Sequence, residues 1–328
     1  MASVADASKS KELPGLGRWN AENAVPLPKT AYPGKTAIII GDDDSGTGGG
    51  QVALYLSNTV GDLENGSVYA LKRTDNNQRE MDIKIGTTYP VEFALIPNHK
   101  TLTGAQINTQ VDALKGIKFA RVEDVDYRKG SSAGAAREVY FNATGQATTA
   151  ANADYSRSKY GRVYRLVMDA ADPLKGTLEV IMDGDDRTGP AKTFQNVDNI
   201  CVTDNYVHTQ EDANSYGDET HDAYIYQYNI ATKAMKVAMM LDHRRMDTDK
   251  EKYNQNQTAT AYANSTFGSW EYGAMIDVSE TIGVPNTFII SLQPHTWRAD
   301  KFKGVDGGTL HPTENQGSQM ILVKGLPR

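Results

Sequence analysis

Short segments of alternating apolar and polar residues, separated by Gly, Asp and Asn, fill this chain almost without interruption, and that rhythm constrains its fold more than any other feature. Residues 51–57 (QVALYLS) and 66–72 (GSVYALK) alternate with period two on either side of a turn at Glu64-Asn65-Gly66, the pattern of strands with one buried face. Residues 35–40, 81–85, 91–96, 118–127 and 138–142 read as further strands of the first half. The second half continues with 162–168, 178–182, 200–203, 206–210, 223–228, 234–241, 273–278, 287–292 and 319–323. Residues 224–233 (YIYQYNIATK) read as a strand, a tight turn and a returning strand, and only 103–114 has helical character. The expected class is therefore all-β, and strand clusters recurring every roughly 40–50 residues favour a β-propeller of about six blades. Residues 1–16 are small and charged and read as a disordered leader, leaving 17–328 as a single domain; 247–266 reads as a long polar loop.

Acidic turns carry the strongest chemical signal. Residues 41–50 (GDDDSGTGGG) place three carboxylates at a strand end, followed by glycines that let backbone carbonyls turn toward an ion. Calcium takes about six to eight oxygen ligands, and such a loop offers side-chain and carbonyl oxygens together. Residues 183–186 (DGDD) and 211–214 (EDAN) have the same character, so Asp42, Asp43 and Asp212 are candidate calcium ligands. None of the loops has the spacing or closing Glu of an EF-hand, and solvated turn acids are the competing reading. The histidines 99, 208, 221, 243, 295 and 311 are scattered without a paired metal-binding spacing, which argues against a zinc hydrolase. The single cysteine, Cys201, sits in an apolar stretch and reads as a small buried hydrophobe. Neither a GxSxG elbow nor a P-loop is present, and the Gly48–Gly50 run, followed by no Lys or helix start, does not read as a phosphate cradle. A net charge of −7 argues against nucleic acid as a partner, and no apolar run reaches the length of a transmembrane segment.

Several segments, taken in order, resemble the PhoX-type alkaline phosphatases, secreted bacterial β-propellers. Gly17-Arg18-Trp19-Asn20-Ala21-Glu22-Asn23-Ala24 resembles that family's Gly-Arg-aromatic signature, and Ile40-Gly41-Asp42-Asp43 its following GDD turn. Phe119-Ala120-Arg121-Val122-Glu123-Asp124-Val125 is similar to its R-P-E-D-I motif, with Val122 where the family has Pro. Residues 55–71 are similar to the stretch that follows the GDD turn, and 197–200, 209–214, 268–273 and 291–295 resemble pieces that come after the R-P-E-D-I motif. In that family, channel acids hold iron and calcium while an arginine grips the substrate phosphate. Carried over residue by residue, the resemblance implies Glu22, Glu123 and Glu271 as metal ligands, beside Asp42, Asp43 and Asp212, and Arg121 as the phosphate clamp.

The family's iron-ligating cysteine lies upstream of the Gly-Arg-aromatic signature, a position Cys201 does not match, and Ala21 stands where the family has His. Iron is thus expected only without its cysteine ligand, and the resemblance implies that the family's N-terminal portion is missing here or part of the catalysis lost. The implied function is a calcium-dependent extracytoplasmic phosphoesterase acting on small phosphate esters. The alternatives are a non-catalytic calcium-stabilised extracellular propeller that binds a partner or serves structural assembly, and a calcium propeller acting on sugars or lactones.

Overall fold

The computed structural model describes residues 10–213, 216–243, 266–296 and 317–328. The chain is all-β and divides after Lys192 into two compact units. In the first, nine strands form one antiparallel sheet: β1 (Ala21–Pro26), β2 (Thr36–Asp42), β3 (Gln51–Ser57), β4 (Ser67–Arg73), β5 (Tyr89–Leu95), β6 (Val122–Tyr127), β7 (Glu138–Ala143), β8 (Arg162–Met168) and β9 (Lys175–Asp183). Their order, β1-β2-β3-β4-β5-β9-β8-β7-β6, joins two meanders through pairing of β5 with β9. The two ends of that order meet again where Asn23 of β1 donates through Nδ2 to the Val125 carbonyl of β6 (3.2 Å) and to Asp124. The sheet is nearly closed into a barrel, which hides strand edges that would otherwise be open for pairing. In this unit the strands share one continuous sheet rather than separate four-stranded blades, because β5 and β9 pair instead of ending two blades.

The alternation seen in the sequence sorts side chains between two cores. Ala37 and Ile39 of β2, Val52 and Leu54 of β3, and Phe93 of β5 fill the barrel interior, where Phe119, Phe141 and Tyr164 pack with ring centroids 4.9 to 5.2 Å apart. Ile38, Ile40, Ala53 and Tyr55 face outward and are covered by Ile107 and Val111 of α1 (Gly104–Ala113). That helix starts with a capping box: Thr103 Oγ1 accepts from the Gln106 amide (3.3 Å), and Gln106 Oε1 accepts from the Thr103 amide (2.9 Å). Gly41 lies where β2 passes β6, and a Cβ there would stand 2.9 Å from the Val122 carbonyl oxygen.

The second unit holds a four-stranded antiparallel meander, β10 (Val197–Val202), β11 (Tyr206–Glu211), β12 (Tyr224–Asn229) and β13 (Met235–Met240), which has the connectivity of one propeller blade. Its turn after β12 is held by Asn229, whose Oδ1 accepts from the amides of Ala231 (3.0 Å) and Thr232 (2.8 Å). A three-stranded sheet follows: β14 (Trp270–Asp277), β15 (Thr287–Pro294) and β16 (Gln319–Lys324). Both sheets contribute to one core containing Ile225, Tyr272, Phe288, Ile290 and Cys201, which is buried as its apolar surroundings predict.

Two expectations are corrected, and one strand is additional to those expected. Residues 81–85 form no strand; Glu80–Asp82 is a 3₁₀ turn that delivers Glu80 to the interior. Within the expected leader, Pro14–Leu16 is an ordered 3₁₀ turn, with Leu16 packed on the outer core. Strand β1 was not anticipated, since its half-exposed residues end in Pro26 and show little alternation. The predicted loop at 247–266 and His311 lie outside the described residues, apart from Thr266. No helix among the described residues is long and apolar enough to cross a membrane.

Candidate metal centre

Strand pairing within one sheet and packing of the other beside it bring distant residues together at one end of the second unit. Glu271 enters β14 opposite Gln293 of β15, so His295, just past the end of β15, lies beside it. Asp212 directly follows β11, where its amide donates to the Asn196 carbonyl (3.0 Å), and Gln210 of the same strand reaches β14 through Nε2 to the Gly273 carbonyl (3.0 Å). One ligand atom from each of Asp212, Glu271 and His295 falls within 4.8 Å of the others, and no second group of three such residues occurs among the described residues. Glu271 is buried at 5% exposure, with its Oε1 3.1 Å from His295 Nε2, while Asp212 and His295 are partly open to solvent.

Next to Asp212, Glu211 has a different role. It is fully buried and accepts from the amides of Gln195 and Tyr224 (each 2.8 Å) and from the Tyr226 hydroxyl (3.0 Å), with His221 Nε2 at 3.0 Å. A carboxylate this well provided with partners anchors the strand end that carries Asp212. Burial and the nearby Glu211 charge push the Tyr226 phenol well above its ordinary range. His221 stacks on Tyr224 at 3.7 Å, and His243 stacks on Trp270 at 4.9 Å, so aromatic packing holds two more histidines at this end of the unit. His208 is buried beside Gln227 (2.9 Å), and burial lowers its pKa to about 4, leaving it neutral.

The sequence-predicted residues of the first unit have other surroundings. Arg121, held at φ +64°, forms an ion pair through Nε with Asp43 Oδ1 (2.8 Å) and another with the buried Glu123. Glu22 is exposed at the β1 bulge. Asp44 accepts from the Gly46 amide (2.6 Å) and from Asn108 Nδ2 (2.8 Å), and Asp186 accepts from the amides of Thr188 (3.1 Å) and Gly189 (3.0 Å). Asp183 makes two bonds to the Arg162 guanidinium (2.9 and 2.8 Å). Of the proposed ligands, the structure thus joins Asp212 with Glu271, and separately Asp43 and Glu123 with Arg121. Asn214 of the third loop is outside the described residues.

Asp42 is 2% exposed; its Oδ1 accepts from the Asn20 amide (2.8 Å), while Oδ2 has no hydrogen-bond partner among the described residues. Burial first, then Asp44 and Asp43, raise its pKa to about 7. A carboxyl raised from about 4 contributes stability at low pH that is lost as pH climbs through 7. Asp42→Asn should flatten that loss, gaining ~2 kcal/mol on wild type between pH 5 and pH 8. Urea unfolding at the two pH values checks this; an unchanged difference would mean Asp42 is ionised in the fold.

No protein-family model and no curated protein sequence matches this chain.

Proposed function

We propose that this protein is a metal-dependent phosphoesterase of the PhoX type, acting outside the cytoplasm on small phosphate esters, with a cation held by Asp212, Glu271 and His295. The observation that carries the reading is the meeting of those three side chains. Asp212, chosen as a ligand from its acidic loop, and Glu271, chosen from the resemblance, come from separate segments and lie in one group of three ligand atoms. Two carboxylates this close, one of them buried, repel each other unless a positive charge lies between them. The donor set fits a cation: the carboxylates suit calcium, and the imidazole extends the choice to iron, manganese or zinc. A cation bound there supplies polarisation of a phosphoryl oxygen.

The chain's own residues define the rest. Glu211 and its four partners hold the backbone before Asp212, and the β14–β15 pairing holds Glu271 and His295 in register. His295, with a side chain 42% exposed against 7% for Glu271, leaves the group open to solvent on its side.

A second reading, a metal-stabilised extracellular protein without catalysis, rests on the same Asp212–Glu271–His295 group, which needs no phosphate site to hold a cation. Elemental analysis of the purified protein, with p-nitrophenyl phosphate hydrolysis in Ca²⁺, in EGTA and after metal restoration, separates the two. The phosphoesterase requires stoichiometric metal and turnover that a chelator abolishes. Metal without turnover selects the second reading, and neither metal nor turnover overturns both.

A further inference from the structure

The glycine-rich loop 46–50 does not open a helix, yet the fold of the first unit gives it the cationic neighbours that its own sequence lacks. Arg157, Lys118 and Arg79, from three separate segments, line a cleft of about 480 Å³ together with Thr47 of the loop. Arg157 is only 2% exposed. Its Nη1 donates to the Gly46 carbonyl (2.8 Å) and its Nη2 to the Ala151 carbonyl, and among the described residues it forms no ion pair. Gly49, at φ +72°, permits the close approach: a Cβ there would stand 3.1 Å from both Arg157 Nη1 and Lys118 Cβ.

A buried guanidinium normally has a carboxylate beside it, because carbonyl dipoles alone offset little of the cost of removing the charge from water. Two carbonyls occupy two of its five N–H groups, which leaves donor capacity at the cleft wall. The other two cations are already engaged, Lys118 with Asp112 (2.6 Å) and Arg79 with Asp154 (2.8 Å). Asp154 is the one carboxylate in the lining, set against three cations, while Glu80 and Asp44 act on the Arg157 charge from outside it without forming an ion pair. In addition, the backbone N–H groups of Thr47 and Gly48 donate to no acceptor among the described residues. Adjacent loop amides of this kind are a recurrent element of anion sites.

We infer that this cleft binds a ligand through a phosphate group, with Arg157 as the anchor and Lys118 and Arg79 at the rim. Three cations lining one cleft, one of them a buried guanidinium with donors to spare, suit a phosphate dianion better than a singly charged carboxylate. The inference is independent of the Asp212–Glu271–His295 reading.

The test is calorimetric titration of the full chain with inorganic phosphate, in EDTA so that no metal carries the anion. One saturable equivalent is expected in wild type and unchanged in Glu271→Gln. Arg157→Lys should weaken it by at least about tenfold, and Lys118→Gln, whose side chain is already shared with Asp112, by about threefold. Should Arg157→Lys fail to fold, Lys118→Gln, at a partly exposed position, carries the test. Absence of saturable binding in wild type, or a folded Lys118→Gln that binds as tightly as wild type, overturns the inference.

Discussion

In the proposed phosphoesterase, Glu271→Gln should abolish cation binding and lower phosphate-ester turnover at least ~100-fold, while leaving the second unit folded. Loss of a residue that merely supports a ligand costs about 10- to 100-fold in metal affinity or activity, and loss of a ligand is the larger change. The amide matches the carboxylate in shape, so packing at this 5%-exposed position survives. Charge does not: a neutral side chain beside His295 leaves Asp212 as the one carboxylate of the three. In metal-free protein the same substitution relieves a like-charge contact, so its melting temperature should equal or exceed that of metal-free wild type. Added metal should then raise the melting temperature of wild type and not that of the variant. A Glu271→Gln protein that retains stoichiometric metal removes Glu271 from the centre, and a variant that melts well below metal-free wild type makes the residue structural.

Strands were legible from their length, their turn-residue borders and their β-branched and aromatic content; β3 and β8 match the predicted 51–57 and 162–168 residue for residue, although β3 is buried on both faces, one in each core. Helix α1 was legible through Ile107 and Val111, four apart and both buried. The reading of 81–85 failed for a physical reason. Met81, Ile83 and Ile85 alternate as a strand would, but only Ile83 enters the core, and Ile85 stays 47% exposed. Sheet closure was invisible, since it depends on Asn23 reaching β6 across the whole unit.

Asp212 and Glu271 could be selected from acidic segments and their order along the chain, whereas His295 could not be recognised as their partner. Its companions lie on other strands, so no local spacing records them. The glycine loop 46–50 illustrates the same limit: its cations arrive from residues 79, 118 and 157. Buried charges were the least legible feature, because charged side chains are expected at the surface unless a partner is known, and partners are a property of the fold.

Glu80 shows how much of the first unit depends on one such charge, and Glu80→Ala should destabilise it by ~3–5 kcal/mol in urea unfolding. The side chain is 0% exposed. Its Oε2 accepts from the amides of Ala120 (2.8 Å) and Ser158 (3.0 Å), and its Oε1 from the Tyr164 hydroxyl (2.9 Å). Alanine leaves these buried donors without an acceptor, and each orphaned donor costs ~1–3 kcal/mol. Arg162 keeps its two bonds to Asp183, so the loss is one of hydrogen bonding more than of charge pairing. Glu80→Gln retains an acceptor oxygen and should cost about half as much. The pH dependence then identifies which form the fold holds. Burial raises the Glu80 pKa from 4.5 to about 7, against the opposing pull of Arg162, so its contribution is complete below pH 4.5 and declines as pH rises through 7. Glutamine does not titrate, so the stability gap between wild type and Glu80→Gln should narrow from pH 5 to pH 8. A gap that widens instead would mean that Arg162 keeps Glu80 ionised, and that the hub joining the Glu80–Asp82 turn to β8 is an ion pair.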